Sequence, residues 1–163
     1  MIRDVFGHIL EAATRACLDH YRERLISLAV FGSVGRGTPR PDSDLDLLLV
    51  LRELPSGRPE RAAEFRPVET MLAGVLKETA AQGVHVELSP VFKTPDEVLA
   101  GSPLMLDMVE DARIVHDRDR FLEHALSAFA ARLQRLGAKR IWKGSAWIWD
   151  LKPDYKPGEV FEI

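Results

Sequence analysis

Cysteine is almost absent from this chain. Cys17 is the only cysteine among 163 residues, so the chain cannot form an internal disulfide. Because Cys17 falls among apolar positions at helical spacing, we expect a buried thiol that packs like a small hydrophobic side chain. A catalytic thiol would need an exposed, electropositive setting. The sequence therefore suits a reducing compartment.

Long apolar runs are missing as well. No stretch approaches the roughly 18 to 20 apolar residues that a membrane-spanning helix needs. The residues after Met1 enter an amphipathic pattern and show no signal-peptide core. We therefore expect no membrane association and a cytoplasmic location.

The chain also lacks an excess of positive charge. The formal net charge is −3, whereas a protein that coats nucleic acid is normally basic. Strong nucleic-acid binding is therefore not expected, and an RNA-tailing enzyme is disfavoured. The charge is uneven, however, because seven lysines and arginines but only two acids lie between Arg132 and Lys156. That end of the chain could meet an acidic partner or a phosphate.

The composition that remains is that of an ordinary globular domain. Hydrophobic residues make up 46% of the chain and charged residues 29%, and the length is enough for one domain with a buried core. We expect a single domain over residues 1–163. Its core would span about residues 5–117, followed by a C-terminal helix and a Trp- and Lys-rich tail over residues 118–163.

Apolar spacing predicts alternating helices and strands. Apolar residues recur every three or four positions in four segments, which predicts helices over residues 5–22, 60–82, 94–109 and 122–136. Short apolar runs or strict alternation predict strands over residues 25–31, 44–51, 84–91 and 112–115. The turn-rich link between the first two strands is too short for a crossover helix, so we expect them to be neighbours. The predicted fold class is α/β (α+β), a small mixed sheet with helices packed on it.

Two aspartates begin the second predicted strand. Asp44 and Asp46 are two residues apart, so both carboxylates project from the same face of that strand. Two like charges this close are costly to bury unless something compensates them. A divalent cation does so directly, and hard oxygen ligands suit Mg²⁺ or Mn²⁺. An exposed, capped turn is the ordinary structural alternative for an Asp-x-Asp pair.

A third acid lies on the polar face of the predicted strand over residues 84–91. If the strands pair, Glu87 can lie beside Asp46. Three carboxylates around one or two metal ions are what a two-metal phosphoryl transfer needs. We therefore predict Asp44, Asp46 and Glu87 as catalytic residues and metal ligands, with Glu87 or Asp46 taking the acceptor proton.

Candidate phosphate donors follow the first predicted strand. Gly32 lets the backbone approach a phosphate without a Cβ clash. The Ser33 hydroxyl and the following backbone N–H groups can donate to phosphate oxygens. Arg36 can reach the same phosphates with a forked, charge-assisted contact. Each feature alone is a turn or a surface charge, but their order and spacing together predict a nucleotide site.

Gly32-Ser33, ten residues, and then Asp44-x-Asp46 resemble the signature of the polymerase-β-like nucleotidyltransferase superfamily. The intervening Arg36-Gly37 and Ser43 look like its small bacterial members, the minimal nucleotidyltransferases. The resemblance covers residues 25–51 closely and reaches Glu87 by strand context. It implies Mg²⁺ at Asp44, Asp46 and Glu87. It also implies a nucleoside triphosphate at Gly32 and Ser33, with Arg36 and Ser43 as further nucleotide-binding residues.

The resemblance also implies a biological setting. Many minimal nucleotidyltransferases are antitoxins encoded beside a HEPN-domain ribonuclease toxin, which they neutralise by transferring AMP from ATP onto a tyrosine. ATP would then be the substrate and a HEPN-domain toxin the partner of this chain. The chain departs from the minimal pattern by carrying about 45 residues from Arg118 onward.

Two other functions and the role of the tail stay open. The enzyme could modify a small hydroxylated molecule, as aminoglycoside nucleotidyltransferases do, although those usually carry a larger second domain. A non-catalytic module that binds a partner and a nucleotide is the other alternative, and self-association is open too. Three tryptophans lie within eight residues, at 142, 147 and 149. They could form a stacking or docking surface, but we favour a tail that folds back onto the core.

Overall fold

A four-stranded mixed β-sheet forms the centre of the fold, as shown by a computed structural model that describes residues 1–163. Its strands are β1 (Leu25–Val30), β2 (Leu45–Leu51), β3 (Leu88–Lys93) and β4 (Arg113–Asp117), in the order β3-β2-β1-β4. β1 pairs antiparallel with β2 and β4, whereas β2 pairs parallel with β3. The prediction of a mixed sheet with the first two strands adjacent is therefore confirmed.

Six α-helices accompany the sheet. They are α1 (Ile2–Tyr21), α2 (Gly32–Gly35), α3 (Arg58–Ala81), α4 (Pro95–Ala100), α5 (Pro103–Asp111) and α6 (Phe121–Leu136). The helix predicted over residues 94–109 is instead two helices, because Gly101 has a φ of +78° and Ser102-Pro103 begins a new helix. α2 is a single turn within a segment predicted as turn. None of the helices combines the length and the apolar character needed to cross a membrane.

Helices cover both faces of the sheet. α1 and α3 pack on one face together with Leu45, Leu47 and Leu49 of β2. α4, α5 and α6 pack on the other face, where Leu48 and Val50 are buried. Because side chains alternate along a strand, Asp46 projects toward the face that carries α5. This alternation decides which helix can contribute to a site built around Asp46.

The third strand begins later than the sequence predicts. Residues 84–91 were expected to form it, but the ladder with β2 runs from Leu88 to Lys93. The backbone N–H of Val84 donates to the Thr79 carbonyl, and that of His85 donates to the Pro41 carbonyl. These bonds hold the residues before Leu88 against the end of α3 and the loop before β2, so Glu87 precedes the strand and does not lie on its polar face.

The C-terminal segment is more ordered than the predicted tail. Residues Lys139–Lys143 (β5) and Ala146–Asp150 (β6) form an antiparallel hairpin, separate from the central sheet. Gly144 has a φ of +66°, which suits the first position of a two-residue hairpin turn. The aromatic and β-branched residues of these strands favour extended structure.

An ion pair closes the outer edge of the sheet. Arg61 of α3 binds Glu97 of α4 through two parallel hydrogen bonds of 2.8 and 2.9 Å. The Arg61 guanidinium also donates to the Phe92 carbonyl of the edge strand β3. Glu97 additionally forms a capping box with Thr94. The pair joins helices from opposite faces of the sheet around an edge that would otherwise be open.

The Arg61–Glu97 ion pair makes the stability of the fold depend on pH. Arg61 holds the pKa of Glu97 at about 2, below the value of about 4.3 expected in the unfolded chain. A lowered pKa adds stability above pH 4.3, which is lost as pH falls toward 2. Since the Glu97 side chain is 39% exposed, we expect Glu97→Gln to lower the free energy of unfolding by only about 1 kcal/mol at pH 7.

Urea unfolding at pH 7, 4 and 2 would measure this effect. The difference between Glu97→Gln and the wild type should shrink across that range. Glu123→Gln is the matched control, because its pair with Arg120 lies on the surface of one helix. An effect of Glu97→Gln that did not change with pH would contradict the role of the ion pair.

Candidate active site

A cavity of about 670 Å³ opens where β1 ends and β2 begins. Its wall brings together six of the residues predicted from the sequence: Gly32, Ser33, Arg36, Ser43, Asp44 and Asp46. It also contains residues that the sequence analysis did not assign to a site: Asp107 and Asp111 of α5, and Phe31, Thr38, Arg40 and Asp42 around the first loop. Trp147 of the hairpin completes the wall.

Antiparallel pairing places the predicted phosphate donors beside the predicted metal ligands. The N–H of Phe31 donates to the Asp46 carbonyl at 3.0 Å, so the residue after Phe31 lies beside the Asp46 side chain. Gly32 has a φ of +63°, and a Cβ at this position would collide with Oδ2 of Asp46. Only glycine combines this backbone angle with this close approach. Ser33 follows in the single turn of α2 and borders the same cavity.

The two aspartates carry negative charge that the protein leaves largely uncompensated. Burial and the neighbouring charge of Asp44 raise the pKa of Asp46, while a hydrogen bond from Ser89 and the charge of Arg36 partly oppose this. Ser89 lies level with Asp46 in the β2–β3 ladder. Two hard carboxylate groups at the wall of an open cavity fit a divalent cation such as Mg²⁺ or Mn²⁺, with phosphate oxygens as further ligands.

The backbone of Glu87 lies beside the start of β2, but its side chain does not line the cavity. Leu45 is level with Leu88, and its N–H donates to the Glu87 carbonyl at 2.8 Å. The Glu87 side chain is absent from the cavity wall. No group of three or more His, Cys, Asp or Glu side chains is arranged to hold a metal ion. The structure thus brings Asp44 and Asp46 together without the third acid, and the roles of all three stay predictions.

Ser43 shapes the loop that leads to Asp44. Its hydroxyl accepts a hydrogen bond from the Arg40 N–H at 2.8 Å, and its own N–H donates to the Arg40 carbonyl. These two bonds close a turn immediately before Asp44 and Asp46. Ser43 borders the cavity, and nucleotide binding by its side chain stays a prediction.

Arg36 is held at the cavity wall by residues far away in the sequence. Its Nη1 atom donates to Oδ2 of Asp111 at 2.7 Å, and its guanidinium carbon lies 4.9 Å from the centre of the Trp147 ring. Asp107 and Asp111 were not predicted as site residues from the sequence. Their spacing was the available signal, because two aspartates four residues apart lie on one face of a helix whose only other charged residue is Glu110.

The hairpin is attached to α5 through the other aspartate. The indole N–H groups of Trp147 and Trp149 both donate to Oδ1 of Asp107, at 2.7 and 3.1 Å. The two tryptophans therefore share one side of the hairpin, as side chains two residues apart on a strand do. The favoured interpretation of the tail is confirmed, since Trp149 packs against the core. Trp147 additionally forms part of the cavity wall.

Gly32→Ala tests the close approach between Gly32 and Asp46. We expect the added methyl group to displace the Asp46 carboxylate and to weaken MgATP binding at least about tenfold, a loss of about 1.4 kcal/mol. Gly37→Ala is the matched control, since Gly37 also has a positive φ, +74°, but a Cβ there meets nothing within 4 Å. Both variants should lose about 1 kcal/mol of stability from backbone strain.

Calorimetric titration with MgATP and thermal unfolding of both variants would separate the two effects. Equal binding by Gly32→Ala and Gly37→Ala would show that the contact with Asp46 does not shape the site.

Comparisons with solved structures give weak matches. A crystal structure of a toxin–antitoxin with AMP-PNP matches at 14% identity and a TM-score of 0.42, covering 84% of this chain and 94% of that one. A mutant of the toxin–antitoxin MntA–HpeT matches at 16% identity and a TM-score of 0.44, covering 78% and 91%. At such TM-scores the two likenesses support no argument about this chain.

Sequence comparisons are more informative. MJ1305 of Methanocaldococcus jannaschii, provisionally named a protein adenylyltransferase, is 28% identical over 138 residues, which cover 83% of this chain and 88% of the relative. The family model described as nucleotidyltransferase domain matches residues 12–116, more than half of the chain. This range includes the central sheet except for its last residue, Asp117, and most of the residues around the cavity. The chain belongs to the nucleotidyltransferase domain family and is a nucleotidyltransferase.

Proposed function

We propose that this nucleotidyltransferase uses Mg²⁺ or Mn²⁺ to transfer AMP from ATP to a tyrosine hydroxyl of a HEPN-type toxin partner, and so acts as an antitoxin in the cytoplasm. The observation that carries the transfer chemistry is the cavity in which Gly32 and Ser33 lie against Asp44 and Asp46. The assignment of a tyrosine hydroxyl as the acceptor rests on the resemblance to minimal nucleotidyltransferases. A protein acceptor is further supported by the name of MJ1305, which aligns over 83% of this chain.

The proposed reaction is a single displacement at the α-phosphorus of ATP. The acceptor oxygen forms a bond to that phosphorus, and the bond from the phosphorus to the bridging oxygen of the β-phosphate breaks. Pyrophosphate leaves with the bridging oxygen, and the acceptor proton passes to a carboxylate oxygen of Asp46 or Glu87 and then to solvent. A bound divalent cation supplies charge neutralisation for the triphosphate and the leaving group.

Each cavity residue has a distinct part in this proposal. Asp44 and Asp46 hold the cation, and Gly32 lets the backbone come close enough to present the Ser33 hydroxyl to the phosphates. Arg36 adds a positive charge at the same wall. Gly32 is fixed against Asp46, and Arg36 is held by Asp111. Groups held in place before substrate binds lower the barrier of a reaction that builds up charge.

Asp46→Asn tests the transfer chemistry. The variant keeps the shape of the side chain but loses a metal-binding charge, so we expect transfer to fall on the order of a hundredfold or more. Wild type and variant would be incubated with Mg²⁺, host lysate and ATP labelled at the α or the γ phosphate. Label on a discrete protein from α-labelled ATP alone is the expected result. Asp19→Asn is the matched control, since Asp19 is exposed on α1.

Other outcomes of this experiment contradict the proposal in different ways. Label from γ-labelled ATP would mean phosphoryl transfer and would reject the reaction. Undiminished transfer by Asp46→Asn would reject the metal site. A wild type that binds MgATP without labelling any protein would reject the protein acceptor in favour of a small molecule or a binding function.

Glu87→Gln tests the third acid separately. If Glu87 takes the acceptor proton, the variant should lower kcat at saturating MgATP at least about tenfold, while the Kd for MgATP stays within about threefold. Steady-state transfer and calorimetric titration measure the two quantities. An unchanged kcat would leave Asp46 as the proton acceptor and would remove Glu87 from the site.

A further inference from the structure

The Asp111 carboxylate binds two arginines from separate parts of the chain. Arg36, from the loop after α2, donates to Oδ2 at 2.7 Å, and Arg140, from β5, donates to Oδ1 at 2.9 Å. The Asp111 side chain is only 4% exposed and that of Arg140 only 10%. Asp111 therefore bridges the catalytic cavity and the C-terminal hairpin.

The charges of this bridge do not cancel. A buried carboxylate keeps its charge only where opposite charges and hydrogen bonds compensate it. Two guanidinium groups facing one carboxylate leave a net positive charge. That excess is presented at Arg36, which is 27% exposed and borders the cavity, whereas Arg140 is enclosed. A positive charge fixed at this wall suits an anionic ligand such as a triphosphate.

Trp147 restricts the same two arginines. The guanidinium carbon of Arg140 lies 4.1 Å from the centre of the Trp147 ring, and that of Arg36 lies 4.9 Å from it. Both distances are within the range of cation–π attraction. The ring itself is fixed by the hydrogen bond from its indole N–H to Asp107. The hairpin thus acts on Arg36 twice, once through Asp111 and once through Trp147.

The hydrogen bond to Asp111 leaves most of the Arg36 guanidinium available. A guanidinium carries five N–H donors, and Asp111 engages Nη1 alone, so Nε and Nη2 can still contact phosphate oxygens. A long side chain that is already held loses less freedom when it binds a ligand, which favours affinity.

We propose that the β5–β6 hairpin is part of the active site, in which Asp111, Arg140 and Trp147 are positioning residues that hold Arg36 against the triphosphate. The inference rests on the proposed function only for the identity of that ligand. Arg140 and Trp147 lie outside residues 12–116, which the family model matches. The hairpin therefore adds to this site something that the matched domain does not contain.

A double-mutant cycle on the full chain tests the coupling. Arg36→Gln and Arg140→Met should each raise the Kd for Mg²⁺-α,β-methylene-ATP, measured calorimetrically, about tenfold, and the double variant should be no weaker than Arg36→Gln alone. Arg140→Lys keeps one charged donor for Asp111 and should restore binding to within about threefold of wild type. Arg118→Met, which breaks the ion pair with Glu23, is the control and should not change the Kd.

A Kd that rises about a hundredfold in the double variant would overturn the proposal. The two tenfold effects would then multiply, so Arg140 would act independently of Arg36. Failure of Arg140→Lys to restore binding would overturn it too. If Arg140→Met does not fold, Trp147→Phe takes its place with the same expectations, since it keeps a ring but loses the bond to Asp107.

Solvent exchange of the Arg36 Nη1 protons, followed by NMR, gives a readout that needs no nucleotide, because Nη1 is the atom that donates to Asp111. These protons should exchange faster in Arg140→Met and in Asp111→Asn than in the wild type or Arg118→Met. Unchanged exchange would overturn the positioning role even in an active enzyme. A wild type that binds no nucleotide but shows the expected exchange would instead reject the proposed function alone.

Discussion

The contact between Gly32 and the Asp46 carboxylate is the constraint on which the rest of the site depends. It exists because β1 and β2 run antiparallel, so that the end of one strand meets the start of the other, and Phe31 is tied to the Asp46 backbone. Any side chain at Gly32 would occupy the space that Asp46 needs. The 14 residues between the two strands are therefore committed to a compact loop, and the single turn of α2 and the Ser43 turn both fold within it. The phosphate-binding and metal-binding halves of the predicted motif are thus one structural unit.

This unit could be predicted from the sequence because the residues that form it are close together in the chain. The buried strands, the turn between them, the Asp-x-Asp pair and the glycine all depend on residues close together in the chain, so spacing alone predicted their arrangement. The start of β3 was predicted wrongly because a backbone bond between His85 and Pro41 competes with the sheet, and alternation of side chains does not reveal such a bond. Asp111 was missed for a similar reason, since its partners lie 75 residues before it and 29 residues after it. Long-range polar pairing leaves only a faint trace in a single sequence, here two aspartates four residues apart on one helix.

The acids around the cavity form two classes that the sequence could not distinguish. Asp107 accepts two indole N–H groups and Asp111 accepts two guanidinium groups, so protein donors already satisfy both. Asp44 and Asp46 have no such cationic partner in contact, and the pKa of Asp46 is raised as a result of burial and of the charge of Asp44. A cation that enters the cavity is therefore attracted most strongly to Asp44 and Asp46. Compensation of the α5 acids by the hairpin concentrates the unsatisfied negative charge at one place.

This division would let one cavity attract both a metal ion and a polyphosphate. A wall of unpaired carboxylates alone would repel the anion, and a wall of free arginines would repel the cation. The structure separates the two charges. The carboxylates belong to Asp46 of β2 and to Asp44 directly before this strand, whereas the excess positive charge sits at Arg36 and is held in place from α5 and the hairpin. A nucleoside triphosphate with its bound metal carries both signs of charge, so it matches this separation better than either ion alone. The hairpin matters to that match because, without Arg140 and Trp147, the Arg36 side chain would be less restrained and closer in effect to a mobile surface charge.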